Sequence, residues 1–198
     1  MSVITSRENR VFRITINRPE KRNALSLALC RELLGAFREA ESDNSVSVVL
    51  LDAAGNSFSS GMDLGEIAEL DFIRQADVHE ELLTIGSRFS KPIIAAVQGA
   101  VFGGAVALVA SAHIVVAADD AKFCSTEIHI GLWPYVAFRA IASAIGERRA
   151  TELALTGRVA SAAEAYEWGL VHRVVPNGQL QEAATRLAVQ MEAFNADA

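Results

Sequence analysis

Two glycine-containing loops are the features of this sequence best suited to chemistry. One is SSGMD at residues 59–63, and the other is FGG at residues 102–104. Each follows apolar residues that predict a buried strand, and each precedes a predicted helix. A helix start offers free backbone N–H groups, and glycine lets a ligand approach the main chain closely. Two such loops could direct two amides at one oxygen atom, which is how an oxyanion hole is built.

The FGG loop taken alone is open to a simpler interpretation, because paired glycines also allow a helix to pack closely against a strand. A phosphate site is disfavoured, since the sequence lacks both the Lys-Ser/Thr pair of a P-loop and the GxGxxG spacing of a dinucleotide site. A backbone site is therefore indicated by the two loops together and not by either one alone.

The uncharged stretch at residues 92–118 raises the alternative of a membrane span, which needs about 20 apolar residues. The stretch contains Pro92, Gln98 and the glycine pair, and its parts differ in character. PIIAAVQ is typical of a buried strand, AVALVASA of a helix of small residues, and HIVVAA of another strand. We therefore predict strand, turn, helix and strand within a protein core, and no membrane partner.

The overall composition indicates an ordinary globular protein of one domain. The chain has 198 residues, of which 51% are hydrophobic and 21% are charged. A net charge of −6 without a basic stripe disfavours nucleic acid as a partner. Cys30 and Cys124 are isolated from each other and show no metal-ligand spacing. We therefore expect reduced cysteines, a cytoplasmic location and no metal.

Apolar periodicity predicts an α/β fold in which strands and helices alternate. Two capping boxes are predicted at helix starts, one formed by Asp63 with Glu66 and the other by Ser161 with Glu164. Besides the elements of the uncharged stretch, strands are predicted at 11–18, 46–55 and 170–175, and helices at 27–41, 73–88, 137–145, 147–156 and from 178.

Five segments carry a resemblance to a known family. FSSGMDLGEI (58–67) and VQGAVFGGAVAL (97–108) are similar to the two oxyanion-hole segments of the enoyl-CoA hydratase/isomerase, or crotonase, superfamily. The resemblance continues, in the family's order, through NRPEKRNALS (17–26), STEIHIGLWP (125–134) and residues 146–176.

This resemblance implies a crotonase-type spiral of repeated ββα units that forms a single domain over residues 1–198. The C-terminal helical part is expected to be shortened, with the family's helices beyond about residue 195 missing. An acyl-CoA thioester is the implied substrate, with no cofactor besides the coenzyme A of the thioester. The implied assembly is a homotrimer or a hexamer.

The resemblance also assigns roles within the site. The amides of Met62 and Gly104 would hold the thioester oxygen, and Glu127 would be the catalytic acid/base. Glu127 lies among apolar residues, so its carboxylate is expected to be partly buried with a raised pKa. Hydratases of the family carry a second glutamate where this chain has Ala107, whose side chain we expect to face the same cavity.

A single glutamate favours double-bond isomerisation of an enoyl-CoA, because moving a double bond requires no water. Hydration or decarboxylation by Glu127 with another water-holding group stays open as an alternative. A catalytically weak binding subunit is the third reading.

The remaining candidates concern substrate binding and proton transfer. His129 is a possible acid/base if its segment is extended, because it would then share a face with Glu127. His79 could line an acyl pocket, although we favour a solvated helix face for it. Trp133 either narrows the acyl pocket or packs in the core.

Asp63 is expected to be a helix cap rather than a base. The resemblance places the CoA nucleotide at Lys21, Arg22 and Ala24, and the other predicted substrate-binding residues are Ser60, Asp63, Leu64, Gly103 and Trp133.

Overall fold

The structure, a computed structural model, describes residues 2–67 and 72–193. Within these ranges the strands are β1 (Val3–Glu8), β2 (Val11–Ile16), β3 (Val48–Ala53), β4 (Ile93–Val97), β5 (Ala100–Phe102), β6 (Ile114–Ala118), β7 (Lys122–Cys124), β8 (Ala160–Ser161) and β9 (Arg173–Val175). The α-helices are α1 (Leu27–Ser42), α2 (Leu64–Ile67), α3 (Phe72–Leu83), α4 (Gly104–Ser111), α5 (Tyr135–Ile145), α6 (Glu147–Thr156), α7 (Ala162–Glu167) and α8 (Leu180–Glu192).

These strands form a large sheet and a small one. The large sheet has the order β1-β2-β3-β4-β6-β9, and it is parallel except for the β1–β2 hairpin. The small sheet has the order β5-β7-β8. The chain runs from β4 in the large sheet to β5 in the small sheet and then into α4, and it repeats this path through β6, β7 and α5. The predicted α/β class and its ββα repeats are confirmed.

Both faces of the large sheet are covered, and β3 shows this most clearly. All six residues of β3 are buried, which is the pattern of a parallel strand covered on both sides. Val49 and Leu51 pack in the main core together with α1, whereas Val48 and Leu50 pack in a second cluster with α8. The prediction of a strand buried on both faces is therefore confirmed.

The uncharged stretch at 92–118 is divided among β4, β5, α4 and β6, as the sequence indicated. No helix in the described ranges is long and apolar enough to cross a membrane. The strand β1 was not predicted, because five of its six residues are exposed and its sequence shows no apolar alternation. It pairs as an edge strand with β2 through a tight turn at Asn9, whose φ is 51°.

One of the two predicted capping boxes is correct. Ser161 accepts a hydrogen bond from the backbone N–H of Glu164, whose side chain accepts one from the N–H of Ser161. The other box is wrong. Asp63 accepts only weakly from Gly65 N at 3.3 Å, while Glu66 accepts at 2.8 Å from the N–H of Leu27 at the start of α1. Glu66 therefore caps a neighbouring helix and not its own.

Candidate active site

The first glycine loop lies against the strand that leads into the second. Ser59 N donates to Ala100 O, and Phe102 N donates back to Ser59 O, both at 3.0 Å. Gly61 has a φ of 90°, and a Cβ placed on it would lie 2.7 Å from Phe102 O. Only glycine fits there without displacing the backbone of one loop or the other. This contact fixes how closely the two loops approach.

The second loop begins the buried helix α4. Gly103 N donates to Cys124 O at the end of β7 at 2.8 Å. Gly103 has φ 53° and ψ −130°, a conformation that side-chain-bearing residues rarely adopt. A Cβ on Gly104 would lie 3.3 Å from Met62 Sδ, so Met62 and Gly104 are immediate neighbours. Neither the Met62 N–H nor the Gly104 N–H donates to another residue in the described part of the chain.

Glu127 stands beside this pair of loops. It begins a 3-10 helix, Glu127–Ile130, that follows β7. A Cβ placed on Gly103 would lie 3.5 Å from Glu127 Oε1. Oε2 is buried and forms no hydrogen bond within residues 2–67 and 72–193. Burial raises the pKa of this carboxyl above its ordinary value. The predicted partial burial and raised pKa are confirmed.

A cavity of about 410 Å³ opens onto these groups. Its wall is mainly apolar, and Glu127 supplies the one carboxylate among the described residues that line it. Trp133 lines the cavity, and its ring lies on that of Phe138 of α5 with centroids 5.2 Å apart. The lining residues are Ser60, Met62, His79, Leu83, Gly103, Gly104, Thr126, Glu127, Ile130, Leu132, Trp133, Pro134, Tyr135, Val136 and Ala137.

Two histidine expectations were wrong. His79 does not lie on a solvated helix face, since it is 7% exposed and lines the cavity from α3. His129 does not share a face with Glu127, because the segment is a 3-10 helix and not an extended strand. His129 is exposed and packs beside Gly157, where a Cβ would lie 2.3 Å from its Nε2. His129 is therefore outside the cavity lining.

Ala107 also lies elsewhere than expected. It is fully buried in the main core and is absent from the cavity wall. Position 107 falls on the part of α4 that packs into the core, so its methyl group serves packing. The described cavity wall thus carries no second carboxylate.

The loop at 17–26 supports the first glycine loop from outside the cavity. Ser60 N donates to Arg22 O at 2.9 Å, and Leu25 N donates to Gly61 O at 2.8 Å. The side chains of Lys21 and Arg22 are exposed, and neither these residues nor Ala24 line the cavity. The two basic residues are therefore at the surface, on a loop whose backbone is hydrogen-bonded to the loop that contains Met62.

Asp63 has a structural partner that the sequence did not reveal. Its Oδ2 accepts from Arg18 Nη1 at 2.9 Å, in an ion pair whose two side chains are each less than one quarter exposed. Asp63 does not line the cavity, and its weak hydrogen bond to Gly65 N gives it a minor capping role. Leu64 is the first residue of α2, and its side chain lies outside the described part.

Asn23 is a residue that the sequence analysis missed. It is fully buried with a φ of 54°, and its Nδ2 donates to Ala54 O and Ser57 O at 2.8 and 2.9 Å. Its Oδ1 accepts from Arg18 N at 2.8 Å. Asparagine tolerates this left-handed conformation, and that preference in a turn-rich loop was the available signal. Asn23 joins the 17–26 loop to the segment that leads into the first glycine loop.

The described residues contain no group of three or more His, Cys, Asp or Glu side chains arranged to hold a metal ion. The site itself offers two backbone amides, one partly buried carboxyl and one buried imidazole on a mainly apolar wall.

Comparison with known proteins identifies the family of this arrangement. The sequence model of the enoyl-CoA hydratase/isomerase family matches residues 6–197. The 2,3-dehydroadipyl-CoA hydratase of Escherichia coli K12 is 35% identical over 191 residues, covering 96% of this chain and 75% of the relative. The trans-2-decenoyl-[acyl-carrier-protein] isomerase of Streptococcus mutans is 31% identical over 193 residues, covering 93% of this chain and 73% of the relative.

The solved structures agree with the sequence comparison. An enoyl-CoA hydratase from Mycobacterium smegmatis superposes with a TM-score of 0.93 at 31% identity, covering 98% of this chain and 77% of that one. The two glycine loops and the ββα repeats thus occur here in the crotonase fold. This chain belongs to the enoyl-CoA hydratase/isomerase family.

Proposed function

We propose that this protein moves the double bond of an enoyl-CoA thioester, using Glu127 as its single proton-transfer carboxylate. The observation that carries this proposal is the position of Glu127. It is partly buried beside Gly103 and is the one carboxylate on the described wall of the cavity. A base in this position can remove a proton next to a carbonyl and return it to another carbon of the same chain.

The backbone amides of Met62 and Gly104 supply the second requirement of this reaction. Removing a proton from C2 of a 3-enoyl thioester moves negative charge onto the thioester oxygen. The two N–H groups adjoin the cavity and are not engaged by other described residues, so they are available to that oxygen. Preorganised donors of this kind contribute roughly 3 kcal/mol each to the transition state.

Glu127 alone carries out both proton transfers of the isomerisation. Its carboxylate takes the proton from C2, which gives a dienolate held by the two amides. The protonated carboxyl then delivers that proton to C4, and the double bond ends between C2 and C3. This step uses no water. At the position where hydratases of the family have their second glutamate, this chain has the buried Ala107, which has no group that could hold a water molecule.

The surroundings of the site support a CoA thioester as the substrate. The exposed Lys21 and Arg22 lie on the loop that is hydrogen-bonded to the Met62 loop, and they can attract the phosphates of a CoA nucleotide. The Streptococcus mutans relative is named a trans-2-decenoyl-[acyl-carrier-protein] isomerase, and that name supports isomerisation as the reaction type. A homotrimer or hexamer, a cytoplasmic location and the absence of a separate cofactor stay predictions.

Glu127→Gln tests the proposal directly. The substitution keeps the shape of the side chain and removes its exchangeable proton, so turnover of a 3-enoyl-CoA should fall by about 10²–10⁴. The affinity for CoA, measured by calorimetry, should stay within a few-fold of the wild type. Glu147→Gln, at an exposed carboxylate on α6, is the matched control and should retain full activity. Full activity of Glu127→Gln would refute the proposal.

The pH dependence gives a second test. The base form of Glu127 is required, and burial raises its pKa above the ordinary value of 4.5. Isomerisation should therefore decline on acidification with an apparent pKa above 4.5, a higher pH than an exposed glutamate would give. A rate that stays constant down to the ordinary range of a glutamate would exclude Glu127 as the base.

The same shift has a consequence for stability. The folded state binds the proton more tightly than the unfolded state, so the free energy of unfolding decreases as the pH rises through the folded-state pKa. Glu127→Gln removes this cost, and at neutral pH the variant should be at least as stable as the wild type in urea denaturation. A variant that loses both activity and stability would point to a structural role for Glu127.

A further inference from the structure

The cavity carries a second titratable residue that faces it from another element. His79 lies on α3 and is 7% exposed. Leu83 is four residues further on and therefore lies on the same face of the helix. The Cδ1 atom of Leu83 is 3.6 Å from the position that a Cβ on Gly104 would occupy. This face of α3 is thus turned towards the second glycine loop.

His79 and Glu127 differ from the other polar groups of the wall. Ser60, Thr126 and Tyr135 carry hydroxyl groups, which donate and accept hydrogen bonds. An imidazole can in addition take up and release a proton, and in its neutral form it both donates and accepts hydrogen bonds. Among the described lining residues, His79 and Glu127 therefore carry the imidazole and the carboxyl that are suited to proton transfer.

We propose that His79 is a second catalytic residue of this cavity and that it gives the protein a hydration activity towards 2-enoyl-CoA. This inference rests on the proposed function, because it uses the same thioester held by the amides of Met62 and Gly104. His79 takes the role of binding and deprotonating water, for which Ala107 has no functional group.

The hydration step balances with these two residues. The neutral imidazole of His79 accepts a proton from water while the water oxygen forms a bond to C3. The electrons of the C2–C3 double bond move towards the thioester and give an enolate held by the two amides. The protonated form of Glu127 donates its proton to C2, which completes the 3-hydroxyacyl product. The imidazolium then returns its proton to the Glu127 carboxylate, and one water molecule has been added.

The division of roles follows from the environment of each group. Burial raises the pKa of Glu127 and so favours its neutral acid form, which is the form that the step requires of it. The two residues come from α3 and from the segment after β7, so separate elements of the cavity wall carry the base and the acid.

Paired measurements on two substrates test the role of His79. Hydration of a 2-enoyl-CoA should fall by about 10²-fold or more in both His79→Gln and His79→Asn. Isomerisation of a 3-enoyl-CoA should fall much less, because its proton transfer uses Glu127 alone, so the ratio of hydration to isomerisation is the quantity to compare. His129→Asn is the matched control at an exposed histidine outside the cavity lining, and it should leave both rates unchanged.

Proton exchange provides a readout that a structural role of His79 would alter. In D₂O the wild type should exchange the C2 protons of a saturated acyl-CoA, since this needs only Glu127 and the two amides. His79→Gln should retain this exchange in the same proportion as it retains isomerisation, and Glu127→Gln should abolish it. Equal losses of hydration, isomerisation and exchange in His79→Gln would assign His79 to cavity shape and overturn the inference.

The remaining outcomes separate the inference from the proposed function. A wild type that isomerises but does not hydrate overturns the role of His79 and leaves the proposed function intact. A His79→Gln variant that hydrates a 2-enoyl-CoA at the full wild-type rate also overturns it. A wild type with neither activity and no C2 exchange refutes the proposed function and the inference together.

Discussion

The two glycine loops perform similar geometric tasks, but different interactions hold them in place. The loop at 102–104 leads into α4, whose residues Gly104 to Val109 are all buried in the main core. The loop at 59–63 is held by hydrogen bonds to β5 and to the 17–26 loop and by the Arg18–Asp63 ion pair. One loop is therefore fixed mainly by apolar packing and the other mainly by polar contacts.

This difference teaches which part of the site can be adjusted independently. A loop that belongs to the core moves only with its helix, because a close-packed interior resists local displacement. Hydrogen bonds between partly exposed loops contribute only about 1 kcal/mol each, so the first loop is held more weakly. Three substitutions should distinguish the contact between the loops, the buried support of the first loop and its surface ion pair.

The largest effect is expected from Gly61→Ala, which acts where the two loops touch. The new Cβ would lie 2.7 Å from Phe102 O, and the alanine would also have to adopt the φ of 90° that Gly61 has. The loops must separate, so one oxyanion donor is displaced and turnover should fall by about 10²–10³. The measurement is kcat/KM for a 3-enoyl-CoA, with stability recorded in parallel.

Gly35→Ala is the matched control for that substitution. Gly35 is an exposed position inside α1 with no neighbouring atom within 4 Å of the new Cβ. It should keep full activity and gain about 0.5–1 kcal/mol of stability from the higher helix propensity of alanine. Equal activities of the two variants would show that contact between the loops is not required.

A smaller effect is expected from Asn23→Ala, which removes the buried support of the first loop. Three hydrogen bonds are lost, two partly buried carbonyl groups lose their donor, and alanine must adopt a φ of 54°. The free energy of unfolding should decrease by about 2–3 kcal/mol. Urea denaturation followed by circular dichroism gives this value.

Asn9→Ala separates the backbone cost from the hydrogen bonds. Asn9 has a similar φ of 51° but is exposed in the β1–β2 turn. Its substitution should cost about 1 kcal/mol through the left-handed backbone alone. If Asn9→Ala and Asn23→Ala cost the same, the buried hydrogen bonds of Asn23 contribute nothing to holding the loop.

The smallest effect is expected from the Arg18–Asp63 pair. Both side chains are partly exposed, so a double-mutant cycle with Arg18→Gln and Asp63→Asn should give a coupling energy of about 0.5–1 kcal/mol that decreases with added salt. The exposed Arg186–Glu182 pair on α8 is the comparison and should couple more weakly. A coupling energy of several kcal/mol would make this ion pair the main support of the loop.

Much of the site could be predicted from local sequence. The two loops, the buried strand β3 and the capping box of Ser161 all follow from patterns within about ten residues, and each was found. Glu127 was also placed correctly as a part-buried carboxyl, because apolar neighbours on both sides indicate burial. The role of Asn23 was not predicted, because the way in which separate loops pack determines its three hydrogen-bond partners.

Tertiary packing decided the residues whose roles depend on distant neighbours. The sequence of α3 does not show that His79 faces α4, because the orientation of a helix is set by the elements packed against it. Glu66 caps α1 rather than its own helix for the same reason. His129 does not share a face with Glu127, because residues 127–130 form a 3-10 helix and not an extended strand. The sequence by itself determined the loops, the buried acid and the family, since these are encoded in short stretches. Only the tertiary structure decided which side chains share the cavity, because that depends on contacts between segments far apart along the chain.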